Sequence, residues 1–401
     1  MRLGAPGIVG AELEWLVVDP MAPMERPALD RVAAALGSHA DGPSLPGGSI
    51  VTTEPGGQLE LSSAPQVGPA AAVQELRVDV DIVRARLFAA GLALSGIWAD
   101  PARPPVRLMQ SPRYSVMEAH YQRLGEPCAT AGSVMMCSTA AVQVSLDAGT
   151  AGTGVQSTAG RWRRAHAVGP ALVAAFACSP LLEGVPTGWR STRQRTWIQL
   201  DPSRTRAPAP DLGPVEAMTE LALTAQVMTV RDEGGCCRPA PSGLTFDRWM
   251  TSGHPAEDDL AYHLTTLFPP VRLRGWLELR YLDMLPDPLW QVPVAVATAL
   301  LDDDAAAETA LAACEPVVGR WHDAARLATG DPALAQAALE CLLAAAEALP
   351  RLGATDLASE VLAYAERYTA RGRCPADDLL DAHGAGMPVE QLLVRDARVA
   401  A

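Results

Sequence analysis

Three segments rich in β-forming residues carry a charged or polar side chain at every second position. The pairs are Glu12 and Glu14, Gln58 and Glu60, and Glu278 and Arg280. Because successive side chains of a strand point to opposite faces, each pair lies on one face of a sheet. Leu, Val and Trp residues fill the alternate positions, as on a face that packs against a core. The pattern therefore predicts an antiparallel sheet with one polar face and one buried face.

Strand patterns are confined to the first three-quarters of the 401-residue chain. The run from Val134 to Asp147 is the longest strand candidate, and a further short strand is expected around Trp197. After Pro286 only alanine-rich helical patterns follow. Since the strands do not alternate strictly with helices, we expect an α+β fold with a helical C-terminal cover.

The composition excludes several classes of protein. The chain contains no lysine, and all 32 of its basic residues are arginine. A Walker A loop requires a lysine, and so does a Schiff-base or pyridoxal-phosphate enzyme, so neither is possible here. A formal charge of −14 argues against a nucleic-acid partner bound through its phosphates.

The cysteines and the apolar segments indicate a cytoplasmic protein. The eight cysteines are scattered and form no Cys-x-x-Cys pair, which is typical of reduced thiols and not of a zinc or redox site. Glu12 and Glu14 interrupt the early apolar stretch, so no signal peptide is expected. The most apolar run, residues 167–182, is shorter than the ~20 residues of a membrane span and contains prolines. We therefore expect no membrane partner.

Glutamate is uncommon in strands, yet five glutamates lie in or beside the predicted ones. They are Glu12, Glu14, Glu54, Glu60 and Glu278. In a chain without lysine, clustered carboxylates are neutralised only by arginine, protons or metal ions. Hard oxygen ligands in this number suit Mg²⁺, and Arg280 could then clamp a transferring phosphoryl group. A half-solvated sheet explains the same alternation without a metal, and the residue pattern alone leaves both interpretations open.

Residues 190–195 (RSTRQR) bring three arginines together. Such a segment suits the capture of a carboxylate or a phosphate, and it is also typical of a solvated loop. Trp189 and Trp197 lie on either side of it. Each is either a half-buried anchor or an aromatic wall of an amino-acid pocket.

Several long motifs resemble those of the glutamate–cysteine ligases of the plant and proteobacterial type. Residues 54–62 (EPGGQLELS) resemble the signature EPGGQ-x-ELS of that family, and residues 263–280 (HLTTLFPPVRLRGWLELR) resemble HLTT-x-FP-x-VRL…LE-x-R. Further similar motifs occupy, in the same order, residues 10–14, 113–117, 135–147 and 179–205. The resemblance covers residues 8–305. In its compact length and its expected lack of a targeting peptide, the chain resembles the actinobacterial branch of the family, which makes γ-glutamylcysteine for ergothioneine synthesis.

The resemblance implies an ATP-dependent carboxylate–amine ligase with a fold related to glutamine synthetase. In such a fold a curved, mostly antiparallel sheet forms an active-site funnel flanked by helices. We expect a single ligase domain over residues 1–401, in which residues 1–290 form the catalytic α+β region and residues 291–401 a helical C-terminal part. ATP would phosphorylate the γ-carboxylate of glutamate, and the cysteine amine would then attack the γ-glutamyl phosphate.

The resemblance also implies roles for individual residues. Arg280 would be catalytic, stabilising the phosphoryl group and the acyl phosphate. The implied Mg²⁺ ligands are Glu12, Glu14, Glu54, Glu60, Glu278 and Gln143. The implied substrate-binding residues are Arg113, Tyr114, Thr139, Trp189, Arg193 and Trp197. The expected partners are small molecules only, namely ATP, glutamate and cysteine, with Mg²⁺ as cofactor.

The chain departs from the family pattern at four positions. Leu13, Ser145, Thr187 and Arg206 stand where the family has His, Asn, Asn and Gly. None of them is an implied metal ligand, so an active enzyme is predicted. Two alternatives stay open: a ligase that joins glutamate to another amine, and a non-catalytic homologue that binds an amino acid or a nucleotide.

Overall fold

The computed structural model describes residues 7–39, 44–97, 99–209, 212–231, 237–253 and 255–395. The strands of this part are β1 (Ile8–Val18), β2 (Ile50–Thr53), β3 (Leu59–Ser62), β4 (Gln66–Val67), β5 (Ala93–Ser95), β6 (Ala141–Asp147), β7 (Leu181–Leu182), β8 (Val185–Pro186), β9 (Thr229–Arg231), β10 (Cys237–Pro239), β11 (Val271–Leu273) and β12 (Trp276–Asp283).

The α-helices of the described part are α1 (Leu29–Leu36), α2 (Gly68–Ala89), α3 (Pro112–Leu124), α4 (Cys128–Ser138), α5 (Thr158–Ala167), α6 (Gly169–Phe176), α7 (Thr192–Gln199), α8 (Pro202–Thr205), α9 (Pro214–Thr224), α10 (Phe246–Ser252), α11 (Glu257–Leu264), α12 (Gln291–Asp302), α13 (Asp304–Cys314), α14 (Trp321–Leu327), α15 (Pro332–Ala348), α16 (Thr355–Arg367), α17 (Pro375–Gly384) and α18 (Val389–Val394). None of these helices combines the length and the apolar character that crossing a bilayer would require.

One antiparallel sheet organises the molecule around its longest strand, β1. The strands follow the order β11–β12–β6–β1–β3–β2, and the short strands β4 and β5 pair with the two ends of β1. The two smaller sheets of the described residues are the hairpins β7–β8 and β9–β10. The register sets Glu12 opposite Gln143 of β6 and Glu14 opposite Glu60 of β3. Residues that are distant in sequence therefore meet on one face.

The two faces of β1 differ as the alternating pattern predicts. Val9, Ala11, Leu13 and Trp15 are at most 3% exposed and belong to the main hydrophobic core. Burial of a side chain the size of Leu or Val contributes about 1.5–3 kcal/mol, so this face fixes the register of the strand. The intervening glutamates lie on the other face, which is less buried.

Helices cover the apolar face of the sheet. The central helix α12 contacts β6 and α2, and helices α15 and α16 pack over α12. All residues of α12 from Gln291 to Leu301 are buried, as expected for a helix that is apolar on every side. After β12 the described chain contains no further strand, so the predicted α+β fold with a helical C-terminal cover is confirmed. The polar face of the sheet is left available for a site.

Two sequence-based predictions of secondary structure are wrong. The segment from Val134 to Asp147 is not one strand, because its first part ends helix α4 and strand β6 begins at Ala141. Helix α4 packs closely on α3 through Gly132, where a Cβ atom would lie 2.5 Å from the Cβ of Tyr121. Trp197 lies in helix α7 and not in a strand, because Ser191 caps that helix by accepting a hydrogen bond from the Gln194 amide.

Candidate active site

Four glutamates share the polar face of the sheet. Glu12 and Glu14 lie on β1, Glu60 lies opposite Glu14 on β3, and Glu54 lies in the turn that joins β2 to β3. The Glu54 carbonyl accepts from the Gly57 amide at 2.8 Å, which closes the turn. Gly57 has a φ of +85°, a conformation in which glycine is favoured. The turn thus holds Glu54 beside the strand carboxylates.

The electrostatics of these carboxylates show that they are crowded and not fully neutralised. Burial raises the pKa of Glu12 to about 7, and the charge of Glu60 contributes to the rise. Burial is also the main cause that raises the pKa of Glu14 to about 8 and that of Glu54 to about 7, with Glu60 contributing in both cases. A group of carboxylates that repel one another in a partly desolvated site is stabilised by a cation.

Glu278 differs from these four glutamates, because two arginines hold it. The Arg272 Nη2 donates to Glu278 Oε1 at 2.6 Å and its Nε donates to Oε2 at 3.1 Å. Arg280 Nη1 donates to the same Oε1 atom. Burial would raise the pKa of Glu278, but the charges of Arg280 and Arg272 outweigh it and the pKa is lowered. Glu278 is therefore an anion that positions Arg280.

Arg280 is fixed from a second side by Gln143. The Gln143 Oε1 accepts a hydrogen bond from Arg280 Nη1, and the Gln143 Nε2 donates to Glu14 Oε1 at 3.0 Å. The guanidinium also lies over the ring of Phe268, 5.9 Å from its centroid. Burial would lower the pKa of Arg280, yet the charges of Glu278 and Glu12 raise it. Arg280 is thus a permanent cation at the edge of the acidic cluster.

Arg193 lies beneath this arginine. It is 2% exposed, and its Nη2 donates to the backbone carbonyl of Arg280 at 2.7 Å. Its Nη1 has no hydrogen-bond partner among the described residues and is 4.0 Å from Asp283 Oδ1. Asp283 is itself held by hydroxyl donors from Ser179 and Ser191, each at 2.8 Å. Arg193 therefore offers an unused donor that is suited to a substrate carboxylate.

Three more of the predicted substrate-binding residues lie around the cluster. Arg113 donates to the hydroxyl and the carbonyl of Thr265 at 2.9 and 3.0 Å, and its charge partly offsets the rise in the pKa of Glu54. Burial raises the pKa of Tyr114 to about 12, and the charge of Glu54 contributes. Trp197 packs against Phe268, the ring that lies under Arg280, and its Nε1 is buried without a hydrogen-bond partner in the described part of the chain.

Thr139 and Trp189 make other contacts. The Thr139 hydroxyl donates to the Met135 carbonyl at 2.8 Å at the end of α4, and the Trp189 ring meets His322 edge-on at 4.7 Å. Their substrate-binding roles stay predictions. The alternation pattern placed Gln58 on the same face as Glu60. Its amide is buried and donates to the backbone carbonyl of Thr139 at 3.0 Å, so Gln58 holds the backbone beyond the end of α4.

Two residues of the site were not among the sequence predictions, namely Arg272 and Asp283. A signal for Arg272 exists in the sequence, because a tight turn at Arg274–Gly275 joins β11 to β12 and places Arg272 opposite Glu278. Asp283 offers no comparable signal. A register irregularity between Leu279 and Leu282 precedes it in β12, and sequence alternation does not reveal such an irregularity.

The site is an acidic surface backed by arginine and not a preformed metal cage. Among the described residues, no three His, Cys, Asp or Glu side chains converge closely enough to hold a metal ion as they stand. The raised pKa values of Glu12, Glu14 and Glu54 nevertheless indicate a shortage of positive charge. Carboxylate oxygens with such a shortage fit a hard divalent cation, and the neighbouring arginines fit phosphate oxygens.

Solved structures of enzymes share this fold. The glutamate–cysteine ligase of Francisella tularensis in complex with AMP superposes on this chain with a TM-score of 0.58 at 12% identity. The superposition covers 98% of this chain and 89% of that one. A bifunctional glutathione synthetase from Pasteurella multocida gives 0.55 at 15% identity over 98% of this chain and 51% of that one. The predicted glutamine-synthetase-like fold is confirmed.

Sequence comparison shows the family to which the chain belongs. The model of glutamate-cysteine ligase family 2 matches residues 8–394, and the chain belongs to that family. It is 43% identical to the glutamate–cysteine ligase EgtA of Mycolicibacterium smegmatis over 97% of this chain and 91% of the relative. The chloroplastic glutamate–cysteine ligase of Arabidopsis thaliana is 30% identical over 64% of this chain and 50% of its own length. The family predicted from the motifs is confirmed.

Proposed function

We propose that this protein joins the γ-carboxylate of L-glutamate to the amine of L-cysteine with hydrolysis of ATP, and that the γ-glutamylcysteine formed feeds ergothioneine biosynthesis. The observation that carries the proposal is the acidic sheet face backed by Arg280, in a chain 43% identical over nearly its whole length to a glutamate–cysteine ligase. ADP and phosphate are the other products. We also propose that the protein acts in the cytoplasm on small molecules alone.

The glutamates of the sheet face have the chemistry to hold Mg²⁺. In this proposal Glu12, Glu14, Glu54 and Glu60 provide carboxylate oxygens, and Gln143 and Glu278 lie at the border of the cluster next to Arg280. Bound Mg²⁺ would neutralise and orient the phosphates of ATP. The protein's own contribution is to keep Glu12, Glu14 and Glu60 close together on two paired strands against their mutual repulsion.

The arginines divide the work on the reacting groups. Arg280, held by Glu278 and Gln143, stabilises the negative charge on the phosphoryl group as an oxygen of the γ-carboxylate attacks phosphorus and ADP leaves. Arg193 has an unused Nη1 donor and holds a carboxylate of glutamate. The cysteine amine then attacks the acyl carbon of γ-glutamyl phosphate, and phosphate leaves. Phosphoryl transfer needs mainly positioning and charge neutralisation, which these groups supply without a lysine.

The test is a reaction of the purified protein with ATP, glutamate, Mg²⁺ and an amine, scored by ADP release and by the mass of the product. Cysteine should give γ-glutamylcysteine and a higher kcat/KM than 2-aminobutyrate or glycine. A preference for another amine would assign the protein to a different glutamate ligase. Absence of turnover with every amine, together with binding of ATP or glutamate, would identify a non-catalytic homologue.

Arg272 is expected to be a positioning residue, and its replacement tests this. Arg272→Gln removes the two-point contact to Glu278, so Glu278 and with it Arg280 become less fixed. Loss of a partner of this kind lowers activity or metal affinity by about 10–100-fold. We expect kcat to fall in that range and the Mg²⁺ concentration for half-maximal rate to rise, with partial recovery in Arg272→Lys. Arg274→Gln, an exposed change in the same hairpin, is the matched control. If both variants lowered the thermal stability equally and left kcat and the Mg²⁺ requirement unchanged, the positioning role would be contradicted.

The raised pKa values predict how Mg²⁺ stabilises the protein at different pH. The pKa values of Glu12, Glu14 and Glu54 are about 7, 8 and 7 in the folded protein, against 4.5 in the unfolded chain. Between pH 4.5 and about pH 8 the folded state therefore binds more protons than the unfolded chain. The metal-free protein loses stability as the pH rises through this range. Mg²⁺ binds the ionised carboxylates and has to displace protons at low pH. The increase in Tm on addition of Mg²⁺ should therefore be larger near pH 9 than near pH 6, measured by calorimetry. A shift that is equal at both pH values would contradict a metal site on these carboxylates.

A further inference from the structure

A large cavity lies among helices beside the sheet, and none of the five glutamates of the site lines it. Its volume is about 960 Å³, and helices α5 and α9 and the start of α14 contribute to its wall. Tyr281 links this region to β12, because its hydroxyl donates to the Ala165 carbonyl in α5 and its ring meets Trp321 edge-on at 5.3 Å. A smaller cavity of about 210 Å³, which Arg280 and Trp197 line, shares Arg206, Pro269 and Trp321 with it. The large cavity therefore adjoins the proposed active site but extends away from it between the helices.

The wall of the cavity includes a buried arginine that lacks an anionic partner among the described residues. Arg164 is 1% exposed, and its Nη2 donates to the Val155 carbonyl at 2.7 Å. Its Nε and Nη1 have no hydrogen-bond partner in the described residues, and no described carboxylate lies within ion-pair distance of it. The neighbouring Arg161, by contrast, forms an ion pair with Asp302 at 2.6 Å. A buried guanidinium without an anion is unfavourable, so an anion bound beside it would be stabilised.

A second unpartnered group lies two residues further along the same helix. The His166 Nδ1 donates to the Trp162 carbonyl at 2.9 Å, which leaves Nε2 as the acceptor nitrogen of the neutral ring. This Nε2 has no hydrogen-bond partner in the described part of the chain. Burial lowers the pKa of His166 to about 4, which keeps the ring neutral. His166 can therefore accept a hydrogen bond from an N–H group of a ligand.

The remaining wall suits a flat ring. Trp162 and Trp321 both line the cavity, and the Trp162 ring packs against His166 with centroids 4.4 Å apart. Apolar side chains such as Leu221 and Met218 line another part of it. Cavities of roughly 300–1,000 Å³ with apolar walls and a few polar groups are typical small-molecule sites. The charged residues of the lining are Arg163, Arg164, Arg206 and Glu220, an excess of positive charge in a chain of net charge −14.

We propose that this cavity is a second ligand site, which binds a small aromatic carboxylate whose ring bears an N–H group. The carboxylate pairs with the guanidinium of Arg164, the ring N–H donates to His166 Nε2, and the ring stacks against Trp162 or Trp321. A carboxylate fits better than a phosphate, because Arg163 is exposed and Arg206 pairs with Glu220, which leaves the buried Arg164 to hold the anion, and because His166 is an acceptor. Arg164 Nε and Nη1 and His166 Nε2 are covered from water, so both side chains have to turn as the ligand enters. The site does not depend on the proposed ligase activity.

Isothermal titration calorimetry with indole-3-acetate tests the proposal on the full-length protein. Indole-3-acetate should bind, whereas indole, which lacks the carboxylate, and 1-methylindole-3-acetate, which lacks the N–H, should each bind about tenfold more weakly or worse. Arg164→Met should weaken binding of indole-3-acetate by at least about tenfold, since a charged hydrogen-bonded pair is lost. Arg326→Gln, an exposed change on α14 at a residue that does not line the cavity, should change it little.

A second variant guards against a folding defect in Arg164→Met. Val318 lines the cavity and is 44% exposed, so Val318→Trp fills part of the space from its rim. We expect this variant to keep ligase activity and to lose most of the binding. No binding to the wild-type protein would overturn the proposal. Equal losses in Arg326→Gln and Arg164→Met would also overturn it, and so would unchanged binding in Val318→Trp.

Discussion

Replacing Arg280 by Met is expected to reduce kcat by at least about 10²–10³-fold, the loss typical of removing a donor that stabilises transition-state charge. The guanidinium carries the charge that meets the transferring phosphoryl group, and Glu278 and Gln143 fix its position through hydrogen bonds to Nη1. Arg280 is held by side chains of two neighbouring strands, β6 and β12, so another residue cannot readily take its place. KM for ATP should change much less than kcat, because the contact is strongest in the transition state.

Two further variants show whether the loss reflects this role. Arg280→Lys keeps the positive charge without the planar fork, so it should recover only a part of the rate. Arg274→Gln removes an exposed arginine from the same hairpin and should leave kcat within about twofold, as expected for a surface change distant from reacting groups. Steady-state kinetics of ADP release give all the values. Wild-type kcat in Arg280→Met would remove Arg280 from the mechanism.

Replacing Glu14 by Gln should abolish most of the Mg²⁺-dependent turnover and at the same time stabilise the metal-free protein. Burial, with the charges of Glu54 and Glu60, raises the pKa of Glu14 to about 8. Its ionised form is therefore costly in the absence of a cation, and the amide removes that cost. The increase in the free energy of unfolding near pH 9 should be about 1–3 kcal/mol, because a tenfold change in a protonation equilibrium is worth about 1.4 kcal/mol. We expect kcat to fall by at least about 10²-fold, since a cation ligand close to the transferred group is lost.

The combination of lost activity and gained stability distinguishes a functional carboxylate from a structural one. In Glu14→Gln the new amide oxygen would still accept the hydrogen bond that Gln143 Nε2 donates to Glu14 at 3.0 Å, so the local geometry is retained. Glu216→Gln, an exposed change on α9, is the control for the charge itself. Urea unfolding with and without Mg²⁺ measures the stability. A destabilised Glu14→Gln protein would show that the carboxylate serves the fold and not a metal ion.

The alternation of side chains was sufficient to predict the polar face of the sheet. In β1 the buried residues Leu13 and Trp15 alternate with Glu12 and Glu14, as the sequence pattern predicts. The motif EPGGQLELS also identified Glu54 and Glu60, because a Pro-Gly-Gly turn is a local feature whose geometry depends on few neighbours. The family and the fold followed from such motifs and are confirmed by the comparisons.

Features that depend on contacts between residues far apart in the sequence could not be predicted from these local patterns. Gln58 has the spacing of a strand residue, but the sequence does not reveal that its amide is buried and donates to the backbone carbonyl of Thr139, 81 residues away in sequence. Helix α4 replaces the first half of a predicted strand because it packs between α3 and α7. The support of Arg193 by Asp283 arises only when β12 and α7 are in contact. Local propensity gives no information on any of these three arrangements.

Carboxylates from separate strands are proposed to gather divalent cations on the polar face of the sheet, and the rest of the mechanism depends on this. Anomalous diffraction from crystals grown with Mn²⁺ and a non-hydrolysable ATP analogue locates such cations. We expect manganese peaks within about 2.0–2.3 Å of oxygens from Glu12, Glu14, Glu54 or Glu60, with the phosphates of the analogue next to Arg280. Peaks elsewhere on the protein, or phosphates bound far from Arg280, would show that the sheet face is not the catalytic metal site.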